Sequence, residues 1–217
     1  MISFSRTLFC KLVGSFAAGF YLSMPVAMAD TVRDLAPRYS NQNKHGDTSQ
    51  DVASIEQKVV LPSLQLIRQD GSKANFPNEL DDGKPVVLTF IYTSCKAVCP
   101  TISHVMKSVQ NKLGEQAKKI HMASISLDPE FDTPERLTEY AHQLEAGPQW
   151  IHYTGLNSDV VKLERAFNIY RGDKMNHLTV FFVRRSPGES WIKFVGFVSP
   201  DSIIKELGLE AKTPSEN

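Results

Sequence analysis

Cysteine is scarce in this chain, and neither sign of charge predominates. The sequence holds three cysteines in 217 residues, and its 24 lysines and arginines equal its 24 aspartates and glutamates. It therefore lacks the basic excess that is typical of nucleic-acid binding, and we exclude nucleic acid as a partner. It also has no long run of like charge and no internal repeat. The hydrophobic fraction of 41% is high enough for a packed core, which excludes global disorder.

The first 29 residues have the features of a cleaved secretory signal peptide. Residues 12–24 are apolar or small, and Ala27-Met28-Ala29 is a small-x-small cleavage site before Asp30. The competing interpretation is an uncleaved anchor in the inner membrane, since the apolar segment approaches the minimum length of a membrane span. Pro25 and the cleavage site favour removal. We therefore expect a periplasmic protein that contacts the membrane only through a partner.

The rest of the chain divides into a tether, one domain and a tail. Residues 30–57 are polar without an apolar period and predict a flexible tether. The folded domain is expected to cover residues 58–210, and residues 211–217 to form the tail. Removal of the signal peptide leaves two cysteines, Cys95 and Cys99. In an oxidising compartment such a pair is a structural disulfide, a redox-active dithiol or a metal-binding pair.

Strand and helix patterns alternate along the domain. The continuous apolar run of residues 86–92 predicts a central strand buried on both faces, and Pro100 predicts the first turn of a helix. Hairpins are expected near Asp70-Gly71 and near Ser186-Pro187-Gly188, and a last helix is expected to cover the second hairpin. This order predicts an α/β, thioredoxin-like fold with a central, mainly parallel sheet.

Cys95 and Cys99 follow the predicted central strand at the start of the helix. On a helix this spacing separates the Cα atoms by roughly 6 Å, which permits a disulfide and puts both sulfurs on one side. The helix N-terminus and Lys96 are expected to lower the pKa of a thiol there. An inert structural disulfide is the weaker interpretation, since so short a loop removes little chain entropy. Two thiolates are soft ligands that select Cu(I), and a trigonal site needs one more ligand, commonly an imidazole.

Six histidines could supply that imidazole. His177 immediately precedes an apolar strand, residues 178–183, and the loop that enters this strand of a thioredoxin-like fold faces the dithiol. Spacing alone leaves open whether His177 is a ligand. For the other five we expect a solvated or core position: His45, His104, His121, His142 and His152.

Acidic residues follow the next predicted parallel strand. Asp128 lies at its carboxyl end, where open α/β sheets place their sites. Asp132 or Thr133 is expected to cap the helix that begins at Pro134. We therefore count only Asp128 among them as a candidate site residue.

Three segments together resemble the motifs of one family. Tyr92-Thr93-x-Cys95-x-x-x-Cys99-Pro100 is similar to the signature of the Sco (SenC) family. Asp128-Pro129-Glu130-x-Asp132-Thr133-Pro134-Glu135 resembles its second motif, and His177 before an apolar strand matches its third. The resemblance covers roughly residues 59–208.

The resemblance implies a thioredoxin-like protein that binds copper and serves assembly of the copper centre of cytochrome c oxidase. It implies that Cys95 and Cys99 are both copper ligands and a redox pair, and that His177 is the third ligand. The segment 170–177 is shorter than the usual loop of the family. Asn176 stands where the family usually has an aspartate.

These observations favour a periplasmic copper chaperone that delivers copper to a recipient protein such as a subunit of cytochrome c oxidase. The alternative is a thiol–disulfide oxidoreductase that reduces the cysteines of a copper-site protein and needs a thiol reductant as a further partner. Whether the chain is an enzyme therefore stays open. A peroxiredoxin-like peroxidase is a third class, but its Pro-x-x-x-Thr-x-x-Cys pattern fails, because Tyr92 and Lys96 stand at the proline and threonine positions before Cys99.

Overall fold

A computed structural model of the chain describes residues 54–212. The predicted signal peptide, residues 30–53 of the predicted tether and residues 213–217 of the predicted tail lie outside the described residues. Within residues 54–212, none of the helices combines the length and the apolar character that a membrane crossing needs.

The strands of the described part form one sheet. In chain order they are β1 Ser54–Gln57, β2 Leu64–Arg68, β3 Lys73–Phe76, β4 Val86–Ile91, β5 His121–Ser126, β6 Trp150–Thr154, β7 Val180–Arg184 and β8 Trp191–Val195. Across the sheet their order is β1-β8-β7-β4-β5-β6-β2-β3. All six residues of β4 are buried, as expected for a continuous apolar run at the sheet centre.

The α/β class is confirmed, but the expectation of a mainly parallel sheet holds only at the centre. The pairs β4–β5 and β5–β6 are parallel, and the pairs on either side of them are antiparallel. A parallel pair needs a crossover connection, which α1 and α2 provide here, whereas strands joined by a tight hairpin must run antiparallel. The two hairpins therefore extend the parallel centre with antiparallel strands on both sides.

The helices connect and cover this sheet. They are α1 Cys99–Leu113, α2 Pro134–Gln143, α3 Asn157–Ala166 and α4 Pro200–Glu206, with short 3-10 helices at Asn78–Leu80, Gly114–Lys119 and Lys174–Asn176. Ser103 of α1 contacts Tyr140 of α2 through their hydroxyl groups at 2.7 Å. Lys112 of α1 binds Asp201 of α4 at 2.8 Å, so α1 is held between two other helices.

Two predicted boundaries are wrong. The tether was expected to reach residue 57, but Ser54–Gln57 forms β1 and pairs with β8. The side chains of β1 are mostly exposed, so this edge strand has backbone pairing without the apolar alternation that would reveal it. The helical spacing of four apolar residues predicts one helix through Val160, Leu163, Phe167 and Tyr170, whereas α3 ends at Ala166 and Asn168 takes a positive φ of 53°.

The segments identified from the sequence lie together at the edge of the sheet that is formed by the carboxyl ends of β4 and β5. The loops that contain Cys95 and Asp128 follow β4 and β5, which are parallel, so both loops leave the sheet at the same edge. His177 precedes β7, which runs antiparallel to β4, and it therefore starts from that edge too. The topology brings together residues that lie up to about 80 positions apart in sequence.

Candidate metal centre

The two cysteines occupy different positions at the start of α1. Cys99 is the first residue of the helix, and Cys95 lies in the preceding loop, where its N–H donates to the carbonyl of Tyr92 at 3.2 Å. The spacing argument placed both on the helix, so that part of it is wrong. Val98 at the helix N-cap offers no side-chain acceptor. The backbone N–H groups of Ala97 and Cys99 donate instead to the sulfur of Cys95.

These contacts make the two thiols chemically unequal. Burial alone would raise the pKa of Cys95, but hydrogen bonds from the backbone and thiol of Cys99, from Ala97 and from the Tyr92 hydroxyl outweigh it and lower that pKa to about 6. Burial raises the pKa of Cys99 to about 12, and the charges of Cys95 and Asp132 act in the same direction. Lys96, which was expected to assist, is exposed. Cys95 is 8% exposed and Cys99 1%, so Cys95 is the more accessible and the more acidic thiol.

His177 completes the group. Its Nε2 lies 3.7 Å from Sγ of Cys99, and its Nδ1 lies 3.3 Å from the carbonyl oxygen of Leu178. A proton on Nδ1 donates to that carbonyl and leaves the lone pair of Nε2 directed toward the thiols, as is usual for a metal-binding histidine. The ring packs edge-on against Tyr92, with 5.4 Å between ring centroids and an interplanar angle of 79°.

The three potential ligand atoms are close enough to share one ion. Sγ of Cys95, Sγ of Cys99 and a ring nitrogen of His177 lie within 4.8 Å of one another. Among residues 54–212, no other trio of histidine, cysteine or carboxylate side chains meets this condition. Bonds of about 2.0–2.3 Å to nitrogen and sulfur, as in zinc sites, put the ligand atoms of a trigonal site roughly 3.5–4 Å apart. The donor set of two thiolates and one imidazole suits a soft ion such as Cu(I).

An ion pair holds the short segment that carries His177. Nζ of Lys174 binds Oδ2 of Asp128, and the same ammonium group lies 5.6 Å from the centroid of the Tyr92 ring. Asp173 caps the 3-10 turn by accepting from the N–H of Met175 at 2.8 Å. Asp128 therefore reaches the site as expected from its position, but through the His177 segment rather than the thiols. The structure thus shows how a shortened loop still brings His177 to Cys99.

Asp132 has a different role from the expected cap. Thr133 caps α2, since its side chain accepts from the N–H of Arg136. The fully buried carboxylate of Asp132 accepts from the hydroxyl of Ser126 at 2.6 Å and from the N–H and hydroxyl of Thr93, the latter at 2.5 Å. It thereby ties the dithiol loop to the end of β5. The sequence signal was available, because a helix has one N-cap and Pro134 at its first turn leaves that position to Thr133.

The other described histidines lie outside this group. His104 and His142 are exposed on α1 and α2, and His121 lies in β5 with its Nε2 2.8 Å from Oδ1 of Asp82. His152 lies in β6 within the core. These positions agree with the solvated or core positions expected for them; His45 lies outside the described residues.

Comparison with known proteins supports the same assignment of fold. The family model described as SCO1/SenC matches residues 52–209. The chain belongs to this family. It is 25% identical over 178 residues to the mitochondrial SCO1 homolog 1 of Arabidopsis thaliana, covering 76% of this chain and 52% of that protein. The chain spans about half the length of the curated relatives it matches.

Solved structures of SCO1/SenC relatives match over most of their length. A SCO1/SenC family lipoprotein from Bacillus anthracis superposes with a TM-score of 0.63 at 25% identity, covering 70% of this chain and 95% of that one. ScoI of Bradyrhizobium japonicum, solved with copper bound, gives a TM-score of 0.57 at 25% identity, covering 66% of this chain and 94% of that one. The predicted family and its thioredoxin-like fold are confirmed.

Proposed function

We propose that this chain is a copper chaperone that binds one copper ion through Sγ of Cys95, Sγ of Cys99 and Nε2 of His177. The observation that carries the proposal is the convergence of these three ligand atoms within 4.8 Å at one edge of the sheet. Their chemistry fits copper, because thiolates are soft and imidazole accepts either oxidation state. The copper-bound ScoI of Bradyrhizobium japonicum is a relative with the same fold.

The unequal exposure of the ligands suggests how copper is passed on. Cys99 is 1% exposed, whereas Cys95 is 8% exposed and His177 is half-buried. A recipient can therefore replace Cys95 and His177 before it reaches Cys99. In such an exchange a bond from copper to a recipient ligand forms as the copper–sulfur bond to Cys95 or the copper–nitrogen bond to His177 breaks, and the oxidation state of the ion does not change. By the resemblance of its motifs, the recipient we propose is a copper-site protein such as a subunit of cytochrome c oxidase.

The location in the periplasm rests on the sequence of the first 29 residues. We propose cleavage after Ala29 and release of a chain that begins at Asp30. Mass spectrometry of the periplasmic fraction measures the mature N-terminus directly. Recovery of the full-length chain in the membrane fraction would instead support the anchored alternative.

Anaerobic titration of the reduced mature chain with Cu(I) tests copper binding. We expect one ion per chain, with the metal content and the free-thiol count measured on the same sample. The variants Cys95→Ser and Cys99→Ser should each lose most of the affinity, because one thiolate cannot supply the soft pair. His104→Ala is the matched control, since His104 is exposed on the same helix as Cys99. Near-normal binding by either serine variant would place the site elsewhere.

A second function, thiol–disulfide exchange, is favoured by the inequality of the two thiols. The thiolate of Cys95 would attack a partner disulfide and release one partner thiol, and Cys99 would then attack the mixed disulfide and release the other. The partner gains two electrons, Cys95 and Cys99 become a disulfide, and a thiol reductant restores them. In Cys99→Ser the mixed disulfide should persist, and Cys95→Ser should form none. Absence of any trapped mixed disulfide with a copper-site substrate would remove this function.

A further inference from the structure

Met175 is an exposed residue that carries a thioether sulfur at the candidate copper site. It lies in the 3-10 turn Lys174–Asn176, two residues before His177, and 69% of it is exposed. Burial of a methionine side chain normally stabilises a fold, and this position forgoes most of that gain. Its neighbours in the turn, Lys174 and Asn176, are polar.

The sulfur of Met175 is nevertheless held at the site by a buried side chain. The hydroxyl of Tyr92 donates to Sδ of Met175 at 3.3 Å. The same hydroxyl also lies beside the sulfur of Cys95, so its single proton is shared between two sulfur acceptors, and the ring of Tyr92 packs against His177. Tyr92 is therefore the common neighbour of Cys95, His177 and Met175, which puts a third sulfur beside the dithiol on its solvent side.

The chemistry of a thioether suits a transient role. It is a soft donor that prefers Cu(I), and it binds without losing a proton. It carries no charge, so it competes less well for the ion than either thiolate does. The side chain also has three rotatable bonds, which let the sulfur move relative to the backbone. Because Cys99 is almost fully buried, an ion that arrives from solvent meets Met175 before it meets the inner thiol.

We propose that Met175 is a fourth copper ligand, which binds Cu(I) through Sδ while the ion enters and leaves the site formed by Cys95, Cys99 and His177. This inference rests on the proposed copper-binding function. Each step exchanges one dative bond for another: a copper–thioether bond forms as a bond to the donor molecule breaks, and it breaks as the sulfurs of Cys95 and Cys99 bind, with the thiol proton of Cys99 released to solvent. The ion remains Cu(I), and no electron is transferred.

The kinetics of Met175→Leu test the proposal, because leucine keeps the size and removes the sulfur. A ligand used only in passage changes the rates of entry and exit by the same factor and leaves the affinity unchanged. We expect transfer of Cu(I) from the loaded chain to a bathocuproine chelator, followed by stopped flow, to slow at least tenfold. Uptake from a Cu(I) chelator should slow equally, while the equilibrium affinity should stay within threefold of the wild type.

Phe131→Leu is the matched control, since Phe131 is also exposed and carries no soft donor. It should transfer copper at the wild-type rate. An equal slowing in both variants would indicate loss of apolar contact surface and overturn the proposal, as would unchanged kinetics in Met175→Leu. An affinity loss beyond tenfold in Met175→Leu would overturn the transient role. Failure of the wild type to bind Cu(I) would instead overturn the proposed function, and this inference with it.

Discussion

His177 and His152 have similar aromatic neighbours and opposite roles. The ring of His177 packs edge-on against Tyr92 at 5.4 Å, and that of His152 packs edge-on against Tyr140 at 5.9 Å. His152 lies in β6, however, where it also stacks on Trp150 and is 0% exposed. Its buried Nε2 has no hydrogen-bond partner among the described residues, whereas Nε2 of His177 faces a thiol.

The direction of one ring nitrogen therefore separates a core histidine from a candidate ligand. Burial lowers the pKa of His152 to about 3, so its ring stays neutral and acts as an apolar side chain with one hydrogen bond, from Nδ1 to Gln69. His177 lies just before β7, at the same edge of the sheet as the dithiol, and is only partly buried. Mutations at the two positions should therefore affect different properties of the protein.

The largest expected effect is the loss of stability in His152→Ala. Removal of this buried ring should lower the free energy of unfolding by about 3 kcal/mol, the usual range for a large core side chain. Urea denaturation of the mature chain measures it. His152→Phe keeps an aromatic ring in the core, so its stability should lie closer to that of the wild type. Loss of copper affinity in the folded His152→Ala protein would contradict a purely structural role for His152.

Acid should destabilise the fold through the same residue. The pKa of His152 is about 3 in the folded state, below the value of about 6.5 in an unfolded chain. The unfolded state therefore takes up the proton first, and the contribution of His152 is complete above pH 6.5 and lost as the pH falls. At pH 5 this loss is about 2 kcal/mol. The stability of His152→Phe, measured by denaturation from pH 7 to pH 5, should fall less steeply than that of the wild type; parallel curves would contradict the assignment.

His177→Ala should weaken copper binding and leave the stability of the fold nearly unchanged. Copper affinity should fall at least tenfold, about 1.4 kcal/mol, with unfolding nearly unchanged. The affinity for Cu(II) should fall more than the affinity for Cu(I), because two thiolates still hold Cu(I) while Cu(II) depends more on imidazole. Competition titrations with chelators for each oxidation state measure both, with His104→Ala as the control. Affinities unchanged within threefold for both ions would remove His177 from the site.

The smallest expected effect is that of Lys174→Ala. This change breaks the ion pair with Asp128 and frees the segment that carries His177. Because the pair is only partly buried, we expect copper affinity to fall about threefold, roughly 0.65 kcal/mol. Lys107→Ala removes a comparable ion pair, with Glu145, away from the site and should leave the affinity unchanged. Equal copper affinities in the two variants would show that the ion pair between Lys174 and Asp128 does not position His177.

The candidate site was more predictable from the sequence than the contacts that support it. Cys95 and Cys99 are chemically distinctive residues beside a recognisable strand, so local patterns are enough to find them. Spacing alone left the role of His177 open, and its assignment as the third ligand came from the resemblance of the motifs to the Sco family. The ion pair of Lys174 with Asp128 joins residues on two different loops. Neither residue has a local feature that selects the other, and only the tertiary arrangement brings them together.

The fold also has elements that the sequence predicts and elements that only the tertiary structure shows. The apolar run of β4 predicts its central position, because burial on both faces leaves a continuous signal. β1 has exposed side chains and is held by backbone pairing to β8, so its sequence resembles that of a linker. Asp132 lies in a motif that also resembles a helix start, and its bonds to Thr93 become visible only when two loops are adjacent.

The pairing of β1 with β8 also decides where a fluorescent reporter can be attached. Ser54 lies opposite Phe194, near the end of β8 that adjoins the start of β7, so the described chain begins at the edge that carries the dithiol. Lys212, at its other end, donates to the carbonyl of Lys112 near the end of α1. The fifteen residues of α1 span about 22 Å from Cys99. A dye attached at Lys212 should therefore leave the edge that carries the dithiol free for the proposed partner, whereas one attached at Ser54 would compete with that partner for space.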